Sequence, residues 1–358
     1  MSAPKLMPSD SIPDSGSRPP RRKRYSGRNP RKFADKYKEH RGDEATLQKV
    51  EAAGKTPAGR HRPVMVEEVL AVLAIQHGET VADGTLGYGG HTREFLRAVA
   101  PGGRVIALDV DPVQLPRTAE RLRKEGFGED VIVTQLSNFA GLPRVLTGLG
   151  LSEGVDAVFA DLGVSSMQID DPSRGFSWKQ GGPLDMRLNP ARGQTAGDLL
   201  QKLTPAKLSE LLEENADEPH AAALGTALAG RTFAGTLPFA AAIRAVVSPA
   251  VRLRPDAEEQ TEKSVRRVFQ SLRIAVNDEL GALDSLLRGL PHCLKPGGRA
   301  AILTFHSGED RRVKKAFAAL EQSGGWHQPD EQPRRPSSNE QRLNPRSTSA
   351  SLRWIVRS

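Results

Sequence analysis

From residue 64 onward, short apolar runs that close on a polar or small residue alternate with stretches of helical periodicity. Val64 to Ile75 repeats its apolar residues at helical spacing, with Glu67 and Glu68 on the other face, and predicts a packing helix. Thr80 to Ala82 predicts a first strand, followed by a helix over Arg93 to Val99. The pattern continues with a strand at Arg104 to Asp109, a helix at Pro112 to Lys124, a strand at Val131 to Gln135, a helix at about Leu142 to Leu149 and a strand at Val155 to Ala160. Strands that run almost continuously apolar and alternate with helices predict an open α/β sheet buried on both faces. Ligands of such a sheet sit beyond the strand C-termini.

The regularity breaks near Gln168. Turn-rich sequence follows (Asp170-Asp-Pro-Ser-Arg-Gly-Phe-Ser-Trp178 and Gly181-Gly-Pro-Leu-Asp-Met-Arg187), and then helical patterns over Ala206 to Glu214, Ala221 to Leu228 and Phe239 to Val247. Thr204-Pro205 is an N-cap and N1 pair for the first of these. A long helix is predicted over Ser264 to Leu290, with Val265, Val268, Leu272, Val276, Leu280, Leu283 and Leu287 on one face. Lys295-Pro-Gly-Gly298 turns into a fifth strand, Arg299 to Phe305, followed by a charged helix at Glu309 to Leu320, a loop at Gly324 to Pro345 and an edge strand at Ala350 to Arg357. The expected organisation is an extension over 1–60, a sheet domain in two parts (61–167 and 263–358) and a helical insertion over 168–262.

Composition narrows this picture. At 358 residues the chain has ample material for a core, and its single cysteine, Cys293, excludes a disulfide framework and any Cys-rich zinc site. No metal is expected. No apolar run approaches the roughly 20 residues needed to span a bilayer, and the N-terminus lacks a secretory apolar region, so a soluble cytoplasmic protein is expected. The net charge of +8 is concentrated at one end: residues 1–60 hold 15 Lys/Arg against 7 Asp/Glu, and the rest of the chain is balanced. This segment, with Arg18-Pro-Pro-Arg-Arg-Lys-Arg24 at its centre, is poor in apolar residues and is expected to be disordered, either as an electrostatic footprint for nucleic acid or as a solubilising tail.

The stretch that carries chemistry is Asp83-Gly84-Thr85-Leu86-Gly87-Tyr88-Gly89-Gly90-His91-Thr92. An acid at a strand end, then glycines, then a helix start is the cofactor turn of a Rossmann-like sheet, although the glycines do not follow the G-x-G-x-x-G dinucleotide spacing. Asp109 lies 26 residues after Asp83, where such a unit places the carboxylate that binds ribose hydroxyls. A dehydrogenase and a methyltransferase share this first half. The second half, with its Pro-Gly-Gly turn into a late strand, then a helix and a final strand, matches a class I S-adenosylmethionine-dependent methyltransferase. That cofactor carries no phosphates, so its turn need not obey dinucleotide spacing.

Seven strings in order make the resemblance specific: Asp83-Gly-Thr-Leu-Gly-Tyr-Gly-Gly-His91, Asp161-Leu-Gly-Val-Ser-Ser-Met-Gln168, Arg174-Gly-Phe-Ser177, Gly182-Pro-Leu-Asp-Met-Arg187, Phe269-Gln-Ser-Leu-Arg-Ile-Ala-Val-Asn277, Phe305-His-Ser307 and Asn344-Pro-Arg346. Over about residues 61–358 the chain resembles the bacterial ribosomal RNA small subunit methyltransferase H family. The resemblance implies N4-methylation of a cytidine in the decoding centre of 16S rRNA, with S-adenosylmethionine as cofactor. It also implies a methyltransferase domain carrying an inserted helical domain, with the small ribosomal subunit as the expected setting; a homodimer stays open. Another small-subunit rRNA as substrate, or an RNA-binding assembly factor without catalysis, are the competing readings.

Cofactor positions implied by the resemblance are Gly89, Gly90, His91, Asp109, Phe139, Asp161 and Gln168, with ordinary core as the lesser reading of Phe139. For catalysis, Asp161 is expected to orient the cytosine amine, while His306 after the fifth strand is either a base or a structural residue, and Asp185 and Asn277 are secondary candidates. Arg174, Arg187 and Arg192, interleaved with Phe176 and Trp178, are expected to contact RNA phosphates and bases. Gly308 stands where the family usually carries Leu, and Val268 where Thr is usual.

Overall fold

The computed structural model describes residues 63–358. The basic segment expected over 1–60 lies outside the described residues. The first element, α1 (Val66–Leu73), precedes a regular alternation: β1 (Thr80–Asp83), α2 (Gly90–Val99), β2 (Arg104–Asp109), α3 (Gln114–Lys124), β3 (Ile132–Leu136), α4 (Leu142–Gly148) and β4 (Val155–Asp161). The helical part follows as α5 (Ser166–Asp170), α6 (Ala196–Lys202), α7 (Pro205–Ala216), α8 (Ala221–Leu228), α9 (Thr236–Val251) and α10 (Ala257–Asn277). The chain then re-enters the sheet through α11 (Glu279–Gly289), β5 (Leu294–Thr304), α12 (Ser307–Gln322), β6 (Trp326–His327), α13 (Ser338–Leu343) and β7 (Ser351–Arg357).

The strands form one seven-stranded sheet in the order β3-β2-β1-β4-β5-β7-β6, parallel through β5, with β7 antiparallel to both β5 and β6. Side-chain alternation along each strand feeds two cores. Val81, Val105 and Ala107 face α1 to α3, packed with Met65, Val69, Phe95, Leu96 and Leu122. Ala82, Ile106 and Leu108 face α4, α11 and α12, packed with Leu142, Leu283, Leu286, Val313 and Phe317. The strand order reverses between β1 and β4, so the crevice at their C-terminal ends is the place where an open α/β sheet binds ligands.

A third core, from Phe176, Leu184 and Met186 through Leu208, Leu224, Phe239 and Ile243 to Val265, Phe269 and Leu272, belongs to the helical body. The limit expected at 262 therefore falls inside α10, which packs in that body through Val265, Val268, Phe269 and Leu272. The single helix expected over Ser264 to Leu290 is two helices. Asp278 takes a left-handed conformation (φ 49°), one that Asp tolerates better than most residues. The break turns the chain from the helical core to Leu283 and Leu286 on the sheet.

Two further expectations are corrected at the end of the sheet. Lys295-Pro-Gly-Gly298 is not a turn before β5 but a bulge within it: Val155 pairs with Leu294, and the ladder resumes with Ala157 opposite Arg299. β7 is not an edge strand, because Trp326–His327 pairs along its outer side, in a segment expected to be loop that also forms α13. Among the described residues no helix is long and apolar enough to cross a membrane.

Candidate active site

Beyond the C-terminal ends of β1, β2 and β4 lies a cavity of about 1090 Å³, closed on its other side by the helical body through Phe176, Trp178, Phe269 and Arg273. The glycine turn between β1 and α2 forms part of its wall, and its amides are spent on the protein itself. Gly84 N–H donates to the Phe159 carbonyl (2.8 Å), Thr85 N–H to Asp83 Oδ1 (2.9 Å), Leu86 N–H to the Leu108 carbonyl (2.8 Å), Gly87 N–H to Asp109 Oδ2 (2.8 Å) and Gly89 N–H to the Leu86 carbonyl (2.7 Å). A dinucleotide turn keeps such amides for a pyrophosphate. This one has none of these five to offer, and so suits a ligand without phosphates.

Gly84 and Gly90 line the cavity, whereas Gly89 does not. Gly84 is glycine because a Cβ there would lie 2.9 Å from Phe139 Cβ, so the bare backbone lets Phe139 close over the turn. Gly89, at φ 71°, caps α2 and backs onto Thr118 and Leu122. Phe139 is half-buried against the sheet core and also lines the cavity.

Asp109 lines the cavity at the end of β2. Its two oxygens accept from Gly87 N–H and Asp111 N–H, both at 2.8 Å, which leaves each a further lone pair for a hydroxyl. Burial raises its pKa, against these backbone bonds. Gln168 also borders the cavity, but both ends of its amide are engaged: Oε1 accepts from Ser165 N–H (2.9 Å) in the capping box of α5, and Nε2 donates to Asp111 Oδ2 (3.1 Å). Asp111 itself was not singled out from sequence, although Asp-Pro before a helical run is a cap signal. Fully buried, it receives Arg174 Nη1 (2.8 Å) as well as Gln168, and these partners outweigh burial to leave it below the usual carboxylate range.

At the end of β4, Asp161 is shielded from bulk water, yet 29% of its side chain is open, and it lines the cavity. Burial, followed by the charges of Asp83 and Glu309, pushes its carboxyl up to about 8. Asp83, beneath the turn, accepts Thr92 Oγ1 (2.6 Å) and Thr85 N–H; burial dominates and raises it to about 6. His91 lies against Phe159 (ring centroids 4.6 Å apart), with Nε2 3.0 Å from the Val64 carbonyl and Nδ1 3.6 Å from Asp161 Oδ2. Burial lowers His91 to about 4, so its ring is neutral, and the carbonyl partner puts the proton on Nε2.

His306 borders the cavity through its ring, but both of its nitrogens are buried. Nε2 lies 3.1 Å from Glu309 Oε1, and Nδ1 lies over Gly308, where a Cβ would come within 3.1 Å of it. The buried Glu309, at the start of the charged helix expected from sequence, caps α12 by accepting Phe305 N–H (2.8 Å) through Oε2. Burial pushes Glu309 up, but His306, the Phe305 amide and Arg273 outweigh it and leave it lowered. Arg273 is held by Glu279 through two bonds of 2.8 Å, and Asn277 fastens the end of α10 to the Met186 carbonyl (2.8 Å) and Leu188 N–H (2.7 Å).

Asp185 stands apart from the cavity lining. It holds Arg187 through two bonds of 2.8 Å, which, against the rise from burial, keep it below the usual carboxylate range. Arg174, expected to reach RNA, is turned inward onto Asp111 and the Arg187 and Leu188 carbonyls. Phe176 is buried, and Trp178 packs edge-on to Phe269 (5.9 Å) in the cavity wall. Arg192 is exposed and lies outside the lining.

A parallel sheet with a reversed final strand, a turn whose amides are spent, and carboxylates at the ends of β2 and β4 define a class I S-adenosylmethionine-dependent methyltransferase. The matching family model is the MraW methylase family, over residues 58–358, and the chain belongs to that family. It is 44% identical over 342 residues to ribosomal RNA small subunit methyltransferase H 1 of Lachnoclostridium phytofermentans, covering 94% of this chain and 93% of the relative. It is 43% identical over 342 residues to the protein of the same name from Agathobacter rectalis (94% and 97% covered). It is also 40% identical over 290 residues to ribosomal RNA small subunit methyltransferase H of Halorhodospira halophila (80% and 86% covered).

Proposed function

We propose that this enzyme methylates N4 of a cytidine in the decoding centre of 16S rRNA, in the cytoplasm, using S-adenosylmethionine. The names of its relatives support the substrate. The observation that carries the chemistry is Asp161, a cavity-facing carboxyl raised to about 8 at the end of β4.

The residues present fit the cofactor. Asp109 would accept its ribose hydroxyls, Phe139 would offer an apolar face to its adenine, and Gly84 and Gly90 would bound its methionine moiety. Glu309, which its partners keep below the usual carboxylate range, gives the interior a negative charge suited to the cofactor's positive charges, and Arg273 on the inner wall is neutralised by Glu279. When bound, the cofactor supplies a methyl group on a sulfonium sulfur, which leaves as the neutral thioether when an amine nitrogen takes that carbon.

The cytosine amine is a poor nucleophile because its lone pair is delocalised into the ring. Asp161, as the carboxylate, accepts an N4–H hydrogen bond, turns the lone pair out of the ring plane, and takes the proton that N4 must shed once alkylated. An acid with an affinity near pH 8 is matched to that task. His306 suits the task less well, because both of its ring nitrogens are buried. The target base has to leave its stack to reach Asp161.

The test is incubation with labelled S-adenosylmethionine and either small ribosomal subunits or naked rRNA, followed by mapping of the labelled nucleotide. Label on N4 of one decoding-centre cytidine is expected. Label on another base, or on no RNA, contradicts the reading.

A further inference from the structure

The exposed cations of the cavity lie at its mouth. Its less exposed acids are Asp109, Asp161, Asp170, Glu279 and Glu309, of which Asp161 is held protonated near neutrality, Asp170 faces Arg346 and Glu279 is paired with Arg273. Among lining residues that are also exposed to bulk solvent, three are cations, Lys179, Arg266 and Arg346, and none is an anion. These cations come from both sides of the opening. Lys179 belongs to the helical body, with its ammonium 5.8 Å from the centre of the Trp178 ring. Arg266 lies on α10 one turn before Phe269 and Gln270. Arg346 sits on the short helix Pro345–Ser349 beside the sheet, with Asp170 at a long 3.4 Å and 41% of its side chain exposed.

Such an arrangement sorts the parts of a nucleotide. A phosphate is attracted to the rim and finds no unpaired cation farther in, where Arg273 is held by Glu279, whereas a neutral base can pass inward. We infer that Lys179, Arg266 and Arg346 form a clamp for the RNA backbone, holding phosphates on either side of the target nucleotide so that only its base enters the cavity. This rests on the reading of RNA as the substrate. It also reassigns the phosphate contacts expected at Arg174 and Arg187, whose guanidinium groups are committed to Asp111 and Asp185.

The experiment measures RNA affinity of the full chain as a function of salt, with a single-stranded oligonucleotide spanning the target. Each phosphate contact contributes about 0.7 to the slope of log Kd against log salt on a single strand. Lys179→Ala, Arg266→Ala and Arg346→Ala should each reduce the slope by about that much, and the triple variant by about 2. Affinity for S-adenosylmethionine should be unchanged, which also reports that the variants are folded. Arg266→Lys should keep the slope, as should Lys315→Ala, an exposed cation of α12 outside the cavity. In turnover, the triple variant should raise KM for RNA at least tenfold while kcat stays within about threefold. A triple variant with the wild-type slope, or Lys315→Ala losing as much as the rim residues, overturns the clamp alone. A wild-type chain that neither binds nor methylates RNA removes the reading on which the clamp rests, and the clamp with it.

Discussion

His91 Nδ1 faces Asp161 Oδ2 at 3.6 Å, and the two are not an ion pair near neutrality. The imidazole is held neutral by burial, with a pKa of about 4, and the carboxyl is held protonated up to about 8. With the His91 proton on Nε2 toward Val64, the bare Nδ1 offers nothing to stabilise an Asp161 carboxylate. The ionised form needed to accept an amine proton is therefore one that the empty fold disfavours. That relationship sets the pH dependence of both stability and activity.

For stability, Asp161 binds its proton more tightly folded than unfolded, about 8 against 3.8. Its contribution is most favourable below about pH 4 and is lost as pH rises through 8. Asp161→Asn removes that burden. In urea unfolding without cofactor, the variant should exceed the wild type at pH 8 by on the order of 1 kcal/mol or more, with a smaller gain at pH 5. A gain that shrinks from pH 5 to pH 8 would show that Asp161 is not held protonated.

For activity, kcat/KM for S-adenosylmethionine reports groups of the free enzyme. It should rise about tenfold per pH unit below about 8 and then level off. His306→Asn should preserve this limb and cost less than about tenfold in rate, since it alters a wall and a contact to Glu309 rather than a base. Loss of the limb in His306→Asn, with the limb kept in Asp161→Asn, would exchange the two roles.

Asp109→Asn should weaken S-adenosylmethionine binding by about 1.5–3 kcal/mol, or roughly tenfold to 150-fold, because the amide cannot accept from Gly87, Asp111 and two hydroxyls together. Calorimetric titration of the cofactor measures this. Unaltered affinity would place the ribose elsewhere.

Arg174→Ala should act on folding rather than on RNA. It leaves the buried Asp111 without its principal countercharge, and removal of one partner from a buried pair costs about 3–5 kcal/mol. Urea unfolding should show the loss, and the salt slope of RNA binding should keep its wild-type value. A reduced slope with unchanged stability would return Arg174 to the RNA surface.

The sheet was legible because its strands carry two alternating faces, both apolar, and Arg104–Asp109 was read to the residue. The strand ends at Asp109 and Asp161 were legible for the same reason. What lies between elements was less so. The break at Asp278 leaves the apolar stripe of a continuous helix intact, and only the tertiary exchange of one core for another shows it. Partnering decided the remaining residues. Arg174 and Arg192 look alike in a turn-rich string, and nothing local says that one will meet a buried Asp111 while the other stays in solvent. Lys179 and Arg266 reach one opening from positions 87 residues apart, a proximity that only the folded chain creates. The packing of Gly89 against Thr118 and Leu122 is likewise visible only in the folded chain.

The central claim is tested most directly by single-turnover methyl transfer to the decoding-centre cytidine, with saturating labelled S-adenosylmethionine, comparing wild type with Asp161→Asn and reading the modified nucleotide by mass spectrometry. N4-methylcytidine is expected from the wild type, and a rate at least 100-fold lower from the variant at pH 8, with cofactor still bound. Equal rates from the two proteins, or a methyl group on any other atom, would contradict it.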